Sequence, residues 1–395
     1  MKVYQIFVDR FSTGKESLDL ELSGKTGTGW LGGNLVGVLK KLEYIKSLGF
    51  DAIWLSPIFK SSVYNGYHVV DFFEIDPHFG NKEIFCEVVK SAHRFGIKVI
   101  LDFVPNHVSK YHPFFREAQK NKNSEYFNWF IFKKWPNDYM CFLDVKDIPK
   151  INLENPDARN YILDAAEYWI ENFQIDGYRI DHAIGPPFDF WKDFVRVCRK
   201  FDRKFLLLPE IWYSGVRMEH LETIWFLKEN GEWKKILVRL LEERKKGNIW
   251  VWDQESRNTL AEEWTMKIFS KYFKSFLDFS SNFMLRMFAK KKEIGEIKFR
   301  KSNFHFLDNH DMQRIMWILK NDEKSFFELL ELLTKAGNLI IYYGTEIGIS
   351  QLKDFFEYGC YGNIEARRFM EWNKVKEKSE FVEKFKRVIN AESES

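Results

Sequence analysis

Short apolar runs alternate with helical patterns along nearly the whole chain, and that alternation most limits what the chain can become. Eight runs read as strands: Val3–Val8, Ala52–Leu55, Ile97–Val104, Ile175–Ile180, Phe205–Leu208, and those near 275–279, 304–307 and 339–343. Continuous apolar runs of this length suit strands covered on both faces, as in a parallel sheet. Helical patterns lie between them. Asn34 can cap a helix that buries Leu35, Val38, Leu42, Ile45 and Leu48 and stops at Gly49. A second runs from about Asn81 to Phe95. Asn155-Pro156 starts a third, with Pro at the first helical position, carrying Ile162, Ala165, Trp169, Ile170 and Phe173. Residues 376–389 read as a closing helix. Eight strands with intervening helices predict an α/β fold, a (β/α)8 barrel. A doubly wound open sheet is the competing layout.

Two connections are long. Residues 108–150, after the third strand, are rich in Phe, Trp, Asn and Lys and read as a small irregular subdomain. Residues 213–272, after the fifth, read as a helical insert, with Met218, Leu221, Ile224 and Trp225, then Trp233, Ile236, Leu237 and Leu240, at helical spacing. The barrel is then 1–107 with 151–395. The insert leaves three residues after Glu210, so it is expected to wall the cleft, or to pair two copies as a homodimer. A flank position that leaves the cleft open is the alternative.

Composition removes other classes. The 395 residues are 45% hydrophobic and 30% charged, with a net charge of +3 and signs interspersed. That fits neither disorder, nor nucleic-acid binding, nor a membrane surface. No run reaches the roughly 18 apolar residues of a membrane span. The start, Met1 to Val8, lacks the apolar core and cleavage site of a secretory signal, and the four cysteines are scattered. A cytoplasmic location is expected. Gly27-Thr28-Gly29-Trp30-Leu31-Gly32 fits a dinucleotide-binding pattern, with Asp51 about twenty residues on. The polar segment before it is no buried strand, and Asp51 precedes its strand instead of ending one. No zinc or triphosphate motif appears.

Polar residues that end barrel strands face the active-site mouth. Four strands end so: Asp102-Phe103-Val104-Pro105-Asn106-His107, Gly177-Tyr178-Arg179-Ile180-Asp181, Leu208-Pro209-Glu210, and Phe306-Leu307-Asp308-Asn309-His310-Asp311. Arg179 and Asp181, two apart on a strand, share a face, and the guanidinium is expected to keep Asp181 ionised, as a nucleophile requires. Glu210 ends an apolar run beside another carboxylate, and burial with like charge favours the protonated form of an acid. Glycoside hydrolysis uses such an unequal pair. Asp311 is placed to orient sugar hydroxyls and oppose developing positive charge; His107 and His310 are placed to donate to the same hydroxyls. A buried ion-pair network that only organises the barrel is the bland alternative.

These four segments resemble the signatures of glycoside hydrolase family 13, the α-amylase family. Gly49 to Pro57 and Gly344-Thr345-Glu346-Ile347-Gly348 match flanking signatures, and Ile148-Pro149-Lys150-Ile151-Asn152 is similar to a segment of the neopullulanase and cyclomaltodextrinase branch. The resemblance implies retaining hydrolysis or transfer at α-glucosidic bonds of maltooligosaccharides or related short α-glucans. Asp181 is the implied nucleophile, Glu210 the proton donor and Asp311 the transition-state stabiliser. It implies that Tyr67, in Asn65-Gly66-Tyr67, stacks on the sugar at the cleaved subsite. Trp30, Trp212 and Tyr213 are further stacking candidates. No cofactor is implied for the chemistry. Asn106 matches a family calcium ligand, but in many members the same residue only hydrogen-bonds. The second signature continues His182-Ala183-Ile184-Gly185, without the Lys-His ending on which a structural calcium depends. His68 stands where exo-acting α-glucosidases carry Asp, which argues against non-reducing-end action. No N-terminal sandwich and no C-terminal β domain are expected. Three functions follow: an α-glucan hydrolase, a 4-α-glucanotransferase using the same covalent intermediate, or a catalytically dead sugar-binding or scaffold protein.

Overall fold

The structure, a computed structural model, describes residues 1–142, 145–183, 185–187, 189–210, 303–335, 337–354 and 363–391. Seven strands form one parallel sheet: β1 (Lys2–Ile6), β2 (Ala52–Leu55), β3 (Lys98–Phe103), β4 (Gly177–Ile180), β5 (Leu206–Pro209), β6 (His305–Phe306) and β7 (Leu339–Tyr342). Their order is β6-β7-β1-β2-β3-β4-β5, so the first strand pairs with the last and the sheet curls into a barrel wall. The strand expected near 275–279 would join β5 to β6 and lies outside the described residues, as does the 213–272 insert. A curled parallel sheet flanked by helices is the (β/α)8 architecture.

The expected caps form. Asn34 accepts from Gly37 N at 2.9 Å and Asn81 from Ile84 N at 3.0 Å, at the starts of helices Leu35–Leu48 and Lys82–Arg94. Asn155 accepts from Asp157 N and Ala158 N, both at 3.0 Å, ahead of Pro156–Phe173. The closing pattern is two helices, Trp372–Glu377 and Ser379–Asn390, broken at Lys378.

Alternation along the strands sorts the side chains into two cores. Tyr4, Ile6, Ile53, Leu55, Val99, Leu101, Phe103, Tyr178 and Ile180 pack outward among the helices. Val3, Ala52, Trp54, Ile100, Leu208, Phe304, Phe306 and Ile340 form a separate buried cluster inside the barrel. The register carries that inner face toward the strand ends: Asp102 sits opposite Arg179, and Arg179 opposite Leu208. The apolar inner layer therefore gives way to a polar one at the mouth.

The glycine-rich segment has a structural role. Carbonyls of Gly27 and Gly29 accept from Arg10 Nη2 at 2.8 and 2.9 Å, while Leu31 N and Gly32 N donate to the Asp9 carboxylate. Asp9 and Arg10 are themselves a buried ion pair. Asp51 accepts from Lys2 N. Four backbone groups of the segment thus serve the Arg10 and Asp9 pair.

A hairpin passed over in the sequence, Phe59–Ser61 with Val69–Ile75, follows β2 and holds Tyr67 in its turn. Gly66 there has φ +83°, and a Cβ on it would lie 2.3 Å from Pro57 O. Gly66→Ala is expected to cost more than about 1 kcal/mol, since Ala is strained at positive φ. Gly29→Ala, whose Cβ would meet nothing within 4 Å, is the control. Thermal melting of both variants checks this; equal melting points would contradict it.

Candidate active site

Arg179 is the centre of the site. Its side chain is 1% exposed, and it reaches Asp102 Oδ1 at 2.8 Å and Asp181 Oδ1 at 2.9 Å through Nη1, and Glu210 Oε2 at 2.8 Å through Nη2. Asp102 also accepts from Tyr67 OH at 2.8 Å and Trp54 Nε1 at 3.1 Å. His182, at φ +44°, turns its backbone N–H onto Glu210 Oε2 at 3.0 Å. The strand ends of β3, β4 and β5 therefore meet at one guanidinium, which brings Asp102, Asp181 and Glu210 together.

Burial works against one expectation, that Arg179 keeps Asp181 ionised. Burial pushes the Asp181 carboxyl well above the ordinary 3.8, Arg179 opposes this, and Glu210 and Asp102 add to it. Burial likewise raises Asp102 against Arg179 and His310. Pairing with Arg179 does not by itself keep Asp181 ionised, because one guanidinium is shared by three desolvated carboxylates.

Asp311 behaves oppositely. Burial alone would raise it, but His310, Arg367 and Arg179 outweigh burial and hold it below the usual carboxylate range. His310 Nε2 lies 3.0 Å from Asp311 Oδ2, and Arg367 Nη2 donates to Asp311 Oδ1 at 2.6 Å. Arg367 Nε also donates to His310 O at 2.9 Å. His310 is fixed on its other side by Gln5 Nε2 at 2.8 Å from Nδ1, and its ring stacks on Tyr67, centroids 5.4 Å apart and 4° from parallel. Arg367 and Gln5 were missed by sequence reasoning. Gln5 is the one polar position inside the apolar run of β1, which is a readable signal; Arg367 has none.

His107 joins the site, with Nε2 4.0 Å from Asp181 Oδ2 and its ring against Phe142. Asn106 is buried just below, its Nδ2 3.2 Å from His107 Nδ1. The His68 carbonyl accepts from Ser61 Oγ and Ser62 N, and burial lowers its ring, with Asp147 opposing. Trp30 stacks on His78 at 3.9 Å and 7°, so that face of its ring is already covered. Trp212 and Tyr213 lie outside the described residues.

Calcium can be tested on the donors at Asn106. Among the described residues no three His, Cys, Asp or Glu side chains group to hold a metal ion. The neighbours of Asn106 are the Gly185 backbone, which an added Cβ would bring within 2.1 Å of Asn106 Oδ1, and Lys150, whose Nζ donates to Gly185 O at 2.6 Å. Calcium takes six to eight oxygens, usually several from carboxylates. A lysine amino group with an amide and a carbonyl does not fit that ion.

With the geometry described, comparison with known proteins is informative. The family model for the α-amylase catalytic domain matches residues 5–394. α-Amylase 2 of Dictyoglomus thermophilum is 37% identical over 389 residues, covering 98% of this chain and 62% of that protein. The intracellular maltogenic amylase of Bacillus subtilis is 31% identical over 405 residues, covering 98% of this chain and 60% of that protein. This chain therefore spans less than two thirds of the length of these curated relatives. Among solved structures, the α-amylase of Geobacillus thermoleovorans complexed with acarbose superposes with a TM-score of 0.70 at 27% identity, covering 98% of this chain and 77% of that one. A barrel mouth built on Arg179, a family model matched almost end to end and these relatives lead to one conclusion: the chain belongs to the α-amylase family, near its neopullulanase and cyclomaltodextrinase branch.

Proposed function

We propose that this chain is a retaining glycosidase that cleaves α-glucosidic bonds, α-1,4 above all, in maltooligosaccharides or related short α-glucans. The observation that carries the proposal is the Arg179 fork, which holds Asp181 and Glu210 on adjacent nitrogens of one guanidinium. Asp181 attacks the anomeric carbon as the glycosidic oxygen leaves, taking the proton from Glu210. The resulting glycosyl ester on Asp181 is broken by water, whose proton returns to Glu210. Asp311, held ionised by His310 and Arg367, faces the developing positive charge. Tyr67 provides the ring on which the sugar stacks, and His107 and His310 hydrogen-bond its hydroxyls. Two carboxylates suffice for this chemistry, so no cofactor is needed. The relatives' names, maltogenic amylase and cyclomaltodextrinase, support the substrate class.

The proposal extends to organisation. The barrel is 1–107 with 151–395, 108–150 is a small subdomain, and 213–272 is an insert that narrows the cleft or pairs two copies. The protein works in the cytoplasm.

Product analysis tests the activity. Maltotriose should yield only smaller sugars, and maltotriose to maltohexaose should be better substrates per cleavable bond than starch. Glu210→Gln should abolish this while sparing the first release of fluoride from glycosyl fluorides, whose leaving group needs little protonation. A ladder of longer sugars would make the enzyme a glucanotransferase. An unchanged maltotriose sample would make the chain a binding protein.

The electrostatics give a stability test. Asp181 has a folded-state value raised above its unfolded one. Its ionised form is therefore a burden on the fold, felt once pH rises above the ordinary carboxylate range. Asp181→Asn should lose activity yet melt higher than wild type at pH 7, by about a few degrees. The gap should close as pH falls toward 4. Differential scanning calorimetry across that range decides; a variant that melts lower at pH 7 would contradict the assignment.

A further inference from the structure

Lys150 is buried, 2% exposed, at the point where the 108–150 segment returns to the barrel. Its backbone is bridged to His107, and Ile151 N donates to Asn106 O at 3.0 Å. Its Nζ crosses to the loop after β4 and donates to Gly185 O at 2.6 Å. Asn106 Oδ1 is buried without a hydrogen-bond partner and is aimed at the same backbone, so close that only glycine fits at 185. Three segments distant in sequence thus meet at the Gly185 backbone: the end of β3, the end of the 108–150 segment and the loop after β4.

A metal ion is one way to join such segments; the donor set here points to another. Calcium would sit about 2.3–2.6 Å from Gly185 O, which is the distance at which Lys150 Nζ already lies. We propose that the Lys150 amino group takes the position of a structural calcium, so that the chain joins its 108–150 segment to the barrel with a lysine and binds no calcium there. Burial lowers Lys150 to about 7. The amino group keeps protons to donate in either form, so the cross-link does not depend on full charge.

The cross-link reaches the carboxylates. The loop it holds starts at His182, whose N–H donates to Glu210 Oε2 at 3.0 Å, and Gly185 N donates back to His182 O at 3.0 Å. Lys150 is therefore a positioning residue for Glu210. That part rests on the role of Glu210 proposed above; the metal independence does not.

The experiment has two arms. Wild-type protein dialysed against EDTA should hold no calcium by elemental analysis. Its melting temperature and maltotriose turnover should be unchanged by EDTA or by added calcium chloride. Lys150→Met keeps the volume but leaves the Gly185 carbonyl buried and unpaired, at a cost of about 1–3 kcal/mol. It should melt several degrees lower. It should also lose about tenfold in kcat on maltotriose, with a smaller loss on a glycosyl fluoride that needs no proton from Glu210. One calcium per chain retained through dialysis, with a melting temperature that falls in EDTA and recovers with calcium chloride, would overturn the proposal. A Lys150→Met variant that melts like wild type would do the same. Equal kcat losses on both substrates with a lowered melting point would leave the lysine in place of calcium and remove only its link to Glu210.

Discussion

One buried guanidinium sets the terms for this barrel mouth. Arg179 is almost wholly removed from water, and Asp102, Asp181 and Glu210 all lie within hydrogen-bond distance of it. A buried cation needs partners, and buried carboxylates need a cation, so breaking either side leaves an uncompensated charge. Three anions against one cation do not balance. Burial and the neighbouring carboxylates push Asp181 upward, and Arg179 opposes them. Asp311 is held the other way by a second cation, Arg367, and by His310.

The barrel makes this arrangement possible through strand register. Inner positions run apolar, from Val3, Ala52 and Ile100 to Trp54 and Leu208, and turn polar at the mouth, at Gln5, Asp102 and Arg179. The apolar layer excludes water beneath the charges, which strengthens every interaction above it. The loops then finish the site. A glycine turn delivers Tyr67, a positive-φ residue aims the His182 N–H at Glu210, and Lys150 ties that loop to the neighbouring segment.

Much of this was legible before any coordinates. The buried strands announce themselves as apolar runs, and seven of the eight form the parallel sheet within one to two residues of the expected ends; the eighth falls outside the described residues. Asp181, Glu210, Arg179 and His310 were readable because each sits at or just past a strand end, where the fold dictates the direction of the side chain. What was not readable depends on contacts across the chain. Arg367 meets Asp311 from 56 positions away, and no local pattern records that. The hairpin that carries Tyr67 is short and irregular in register. The upward push on Asp181 was unreadable for the same reason. Its neighbour Arg179 is visible in sequence, but the competition from Asp102 and Glu210 for that arginine is not.

The central claim is that Asp181 forms the covalent intermediate. Glu210→Gln protein mixed with an α-maltosyl fluoride isolates that step, because fluoride leaves without an acid while the glycosyl ester then lacks the base that activates water. Digestion and tandem mass spectrometry should find one maltosyl group, on Asp181. A maltosyl group on any other residue, or no adduct while fluoride is released in a burst, would contradict the account.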